Sequence, residues 1–141
     1  SVDLNIDMVG RIDTERMTAD SLNYVYVVGH NKLSSDLPVI NEGANNKYTQ
    51  LVLDYKFDDP KDPNRIYFRR DHYNFARKGV LVLFFYDGML KSDYHKPTDD
   101  IEKIYWSLLE KRARMIFYTA WDMANRDEML KRDIPLTNDV R

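Results

Sequence analysis

At 141 residues the chain has the length of one domain and can bury a substantial core. A formal net charge of −2, with Lys and Arg dispersed along the sequence, gives no sign of the strongly basic surface that binds nucleic acid. The absence of cysteine excludes disulfides and thiolate metal sites, and no apolar run approaches the ~20 residues of a membrane span.

Val2, Leu4, Ile6 and Met8 alternate with Asp3, Asn5 and Asp7. That period of two predicts a strand with Asp7 on the face opposite the apolar set, ended by Gly10. A second strand, rich in β-branched and aromatic residues, is expected from Asn23 to Gly29. Ser34-Ser35-Asp36 reads as a helix N-cap, because Leu37, Ile40 and Ala44 follow at helical spacing. Gln50 to Phe57 is a third strand, followed by a surface loop whose two prolines among aspartates can continue neither helix nor strand. Asp71 then caps a short helix running to Lys78, and Gly79 closes it. Val80 to Tyr86 is a nearly continuous apolar run, the mark of a strand buried on both faces. Asp99 and Glu102 form an approximate capping pair for a last helix reaching about Arg126. Its apolar stripe comprises Ile101, Ile104, Leu108, Ile116, Ala120 and Met123. Strands alternating with helices predict one α/β domain over residues 1–141 with a mostly parallel sheet.

The segment from Ser92 to Asp99 joins the buried strand to the last helix. In open α/β sheets ligands bind beyond the carboxyl ends of the strands, where this loop falls. His95, flanked by Tyr94 and carboxylates, has the groups to hold a metal or move a proton. A parallel sheet would bring Asp7 to the same edge, and imidazole with carboxylate is a normal zinc pairing. The plainer alternative is a capping aspartate and a surface histidine. Asp71 and His72 likewise read either as an N-cap followed by a partly exposed histidine, or with Asp71 orienting a ligand. His30 reads as a surface loop residue without a role.

Four blocks in this order carry a resemblance: residues 4–11 (LNIDMVGR), 23–37 (NYVYVVG, then NKLSSDL), 71–80 (DHYNFARKGV) and 93–99 (DYHKPTD). Together they resemble the catalytic domain of the co-catalytic di-zinc aminopeptidases, a family that includes bacterial leucyl-type enzymes and is related to glutamate carboxypeptidase and glutaminyl cyclase. The resemblance implies a three-layer α/β zinc exopeptidase fold. Asp7 matches a terminal ligand of one zinc and His95 the histidine that binds the other. Tyr94 matches a tyrosine that polarises the scissile carbonyl in some members, and Asp71 and His72 lie in a segment that shapes the pocket. Asp99 is placed to orient the ligand loop. In the family, two zinc ions activate a bridging water and a glutamate serves as general base.

The family's other ligands, its bridging aspartate and its paired glutamates lie upstream of the Asp-Met strand. With catalytic domains of roughly twice this length, the chain is expected to be the C-terminal half of such a domain. It would hold one ligand per zinc and no base. A start at Ser1 suggests a processed or shortened terminus, so a missing targeting segment carries little meaning. The chain alone is therefore expected to bind zinc poorly and not to hydrolyse peptides, since zinc normally needs at least three protein ligands. A sheet lacking strands also predicts self-association or a companion N-terminal segment. Smaller departures are Arg70 where serine is usual, Leu81 for proline and Asp100 for threonine. The alternatives are a non-catalytic fragment of the same fold, or a glutaminyl-cyclase-like acyltransferase; in that branch a tryptophan often stands where this chain has Tyr94. Family resemblance also implies an extracytoplasmic location and a peptide substrate.

Overall fold

A computed structural model describes residues 1–16, 20–69, 71–89 and 93–135. Arg70 and Ser92 lie outside them. The strands are β1 (Val2–Ile6), β2 (Tyr24–Val28), β3 (Val52–Asp54) and β4 (Leu81–Tyr86). The helices are α1 (Asp36–Tyr48), α2 (Ile66–Arg69), α3 (His72–Ala76) and α4 (Trp106–Ala124), with 3-10 turns at Lys56–Asp58 and Ile101–Lys103.

The sheet order is β1-β4-β2-β3. The two central strands are the two apolar runs, and every residue of both is buried. That position requires cover on both faces, and alternation along β4 shows it. Phe84 stacks on the His72 ring of α3 at 4.8 Å, while Leu83 and Phe85, on the other face, are also fully buried. Leu37 and Ile40 of α1 and Leu108, Met115 and Ile116 of α4 join the same core. Each such side chain contributes about 1.5–3 kcal/mol on burial. The result is the expected α/β sandwich with helices over the sheet. Two of its three strand pairings are parallel, β1 with β4 and β2 with β3; β2 runs antiparallel to β4. Among the described residues no helix is long and apolar enough to cross a membrane.

Helices α1 and α4 are fastened by a buried polar contact, Asn41 Nδ2 donating to Thr119 Oγ1 at 3.0 Å, and by the stacked rings of Tyr48 and Tyr118. Ser35 occupies the N-cap position of α1, but its hydroxyl bonds to Asp133 Oδ2 and leaves the helix end uncapped by it. The third strand is shorter than its sequence suggests: after Asp54 the chain turns into a 3-10 helix that buries Phe57. Helix α4 starts at Trp106, not near residue 100. Asp99 does not cap it, because its carboxylate is engaged by Arg11 Nη2 at 2.6 Å. Ile101 is 62% exposed and stands outside the stripe, whereas Ile104 packs against Gly10 and Tyr105 N–H donates to Gly10 O.

Candidate functional site

Because β1 and β4 are parallel neighbours, the chain leaves both at the same sheet edge. Pairing continues past the strands, with Asp7 N–H donating to Phe85 O at 3.4 Å and Asp87 N–H to Met8 O at 2.8 Å. Met8 has a left-handed backbone with φ +58, unusual for a side chain of its size. Asp7 lies just beyond β1 and lines a cleft of about 370 Å³ together with Asn5, Ile6, Arg69 and Asp71. Asp71 is exposed at the N-terminus of α3, with no capping bond from its side chain. A second hollow of about 170 Å³ is lined by Met8, Arg11, Asp87, Tyr94, Asp99 and Ile104, among others.

The predicted residues thus divide between two hollows on one edge: Asp7 and Asp71 line the first, Tyr94 and Asp99 the second. His95 lines neither. It is exposed, has φ +56, and stacks on the Tyr94 ring at 3.9 Å. His72 is not partly exposed. Its ring is fully buried between Phe84 and Tyr67, because α3 turns it inward onto the sheet.

Three charged residues that sequence reasoning passed over organise this edge. Arg11 donates from Nη1 to Asp93 Oδ2 at 2.8 Å and from Nη2 to Asp99. Partial burial opposes its charge, but bonds to these two carboxylates hold the guanidinium protonated more firmly than usual. Asp87, fully buried at the end of β4, accepts from Arg11 N–H and Met89 N–H at 2.9 Å each. Burial pushes its carboxyl above the ordinary range, against the pull of those donors and of Arg112 and Arg11. Arg112, also fully buried, donates from Nε to Tyr24 O and from Nη1 to Val9 O and Arg11 O. Burial lowers its pKa, opposed by Tyr24 and Asp87. Its sequence signal was present: Arg112 stands between Leu108 and Ile116 at four-residue steps, so a cation occupies the middle of an apolar stripe.

A histidine–aspartate pair lies at the opposite sheet edge, where β2 ends. Asp58 is almost fully buried, accepts Gly29 N–H at 2.8 Å, and lies 2.5 Å from His30 Nδ1. The His30 ring stacks on Tyr55 at 3.8 Å, so it is a packed residue and not a loose surface one.

Asp7 and His95 offer the right donors for zinc, but two are fewer than the three protein ligands it normally takes. Among the described residues no group of three or more His, Cys, Asp or Glu side chains could hold a metal ion. These residues do not by themselves fit a zinc centre.

A family model described as Peptidase family M28 matches residues 1–120. No curated protein matches the chain. Among solved structures the chain is similar to BSAP, a zinc aminopeptidase from Bacillus subtilis, with a TM-score of 0.58 and 19% identity. That likeness covers 100% of this chain but 32% of the other, so the chain spans about a third of that protein's length.

Proposed function

The chain belongs to Peptidase family M28, and on that premise we propose that it is part of a zinc-dependent aminopeptidase that removes N-terminal residues from peptides. By itself the chain does not hydrolyse them. The observation that carries this reading is the parallel pairing of β1 with β4, which sends the Asp7 segment and the Tyr94-His95 loop to one sheet edge. In the complete domain Asp7 and His95 each supply a metal donor, and Tyr94 stands beside the scissile carbonyl. Asp71 shapes the cleft that it lines with Asp7, and His72 packs beneath as support. Asp99 steadies the loop through Arg11.

Isothermal titration of the chain with zinc, at neutral pH and without phosphate, tests the reading. Weak or no binding is expected, since each zinc would find one donor here. Tight binding at one or two sites, lost in Asp7→Ala and His95→Ala, would refute the missing-ligand argument. Restoring activity with a segment that carries the remaining ligands and a glutamate base is the positive counterpart. The working enzyme lies outside the cytoplasm on this reading; fractionation that recovers it from the cytosol would count against that placement.

A further inference from the structure

We propose that Arg11 is the positioning residue that sets the Tyr94-His95 loop against the end of β1. The backbone of Arg11 is fixed on both sides. Its N–H donates to the buried Asp87 carboxylate at 2.9 Å, and its carbonyl accepts from the buried Arg112 at 2.8 Å. From that fixed post the guanidinium, largely shielded from solvent, reaches Asp93 with one nitrogen and Asp99 with the other. The two carboxylates lie six positions apart and bracket Tyr94, His95, Lys96, Pro97 and Thr98. A single planar fork therefore closes the loop at both ends, which a lysine ammonium on its flexible stem cannot do with the same geometry.

Asp93 gathers the rest of the loop. Its Oδ1 accepts from Thr98 Oγ1 at 2.6 Å and from Lys103 Nζ at 2.8 Å, while its Oδ2 is held by Arg11. Within the loop's own backbone, among the described residues, Lys96 N–H donates to Asp93 O and Asp99 N–H to Lys96 O. His95 sits between these bonds in a left-handed conformation that a non-glycine residue adopts at some cost. Among the described residues outside the loop, Arg11 is the side chain that grips both of its ends. Asp7 stands four residues before Arg11, so the same strand end delivers one candidate donor and secures the loop that carries the other. The functional weight of this clamp rests on the reading above; the clamp itself is a statement about the loop.

The test is nuclear magnetic resonance on the full chain, read at the backbone amides of Lys96 and Asp99 and at the ring protons of its three histidines. In Arg11→Gln the two amides are expected to exchange about tenfold or more faster, as a loop released from its tether does. The His95 ring signals lose the displacement caused by stacking on Tyr94, while those of the packed His30 and His72 stay in place. Arg11→Lys, keeping the charge but not the fork, falls between wild type and Arg11→Gln. Asp99→Asn, which removes only the more exposed partner, loosens the loop less. Unchanged amide exchange and unchanged His95 signals in Arg11→Gln overturn the proposal. Should that variant fail to fold, Arg11→Lys and Asp99→Asn carry the test, and a loop unaltered in both overturns it equally. Neither readout uses metal or substrate, so its failure leaves the peptidase reading standing, and a failed zinc titration leaves the clamp standing.

Discussion

Replacing Arg112 by methionine should cost about 3–5 kcal/mol of stability, less than the sum of the charge-assisted hydrogen bonds it removes. The substitution keeps an unbranched apolar stem in the α4 stripe but deletes three hydrogen bonds, to Tyr24 O at 2.9 Å and to Val9 O and Arg11 O at 2.8 Å each. Three carbonyls lose a charged donor, and such bonds contribute about 1.5–3 kcal/mol net apiece. Their sum is not reached, because burying the guanidinium is itself expensive and its Nη2 has no hydrogen-bond partner among the described residues. The loss also leaves the fully buried Asp87 with Arg11 but without Arg112 to offset its charge, and removes the guanidinium that lies 4.8 Å from the centre of the Tyr24 ring. Urea denaturation followed by circular dichroism measures the effect: with m of about 1–3 kcal/mol/M, a 3 kcal/mol loss lowers the midpoint by at least about 1 M. Arg112→Lys retains charge without the fork and should recover less than half of the loss. A midpoint for Arg112→Met within about 0.3 M of wild type, at unchanged m, would refute the reasoning. It would mean that burying this cation costs as much as its bonds return.

The burial of Asp87 sets a pH dependence. Its carboxyl is raised above 3.8 in the folded chain, so its contribution is fully present below that pH and is lost as pH rises from 3.8 through the folded value. Measured between pH 3 and 7, wild type should lose stability relative to Asp87→Asn across that window and then level off; a difference growing in favour of wild type would contradict the burial argument. Gly88→Ala should destabilise by about 2–3 kcal/mol in thermal or urea melts. The position has φ +94, and a Cβ there would lie 2.5 Å from Tyr26 Cε2 and 2.9 Å from Asp13 Oδ2. Tyr26→Phe removes the hydroxyl that donates to the buried Asp13 at 2.7 Å and should cost about 1–3 kcal/mol. A melt indistinguishable from wild type would mean that water replaces the phenol.

Hydrophobic period carried β1, β2, β4 and the body of the last helix well, because burial decides both. Val80 to Tyr86 reads as a central strand and is one, and the alternation from Val2 puts Asp7 just past β1. What the pattern lacked was pairing. Nothing in Asn23 to Gly29 says that β2 runs against β4, since an antiparallel strand and a parallel one bury the same residues; that choice sends His30 and Asp58 to the far edge. The N-cap position of helix α4 falls six residues later than its capping signal because Asp99 has a stronger bond to make, with Arg11, than any it could offer an uncapped amide. Local rules fail where a long-range charge pair competes for the same side chain. His72 failed for a related reason: a histidine after an N-cap is exposed on an isolated helix, but α3 is five residues long and lies against the sheet.

These misses share a physical origin that bears on the site. Asp7 and His95 stand 88 positions apart, and no periodicity relates them. Their loops share an edge because β1 and β4 pair in parallel, and the approach of the second loop depends on contacts that only the folded chain brings together. Arg11 with Asp93 and Asp99, and Arg112 with Val9 and Arg11, span between 82 and 103 positions of sequence. Arg112 alone carries a sequence signal, a cation set in an apolar stripe; the others read as ordinary surface composition until the sheet is assembled. The candidate donors were therefore visible by motif, whereas the ionic frame beneath them was not. It is that frame, more than the donors' identity, that shapes the loop carrying His95.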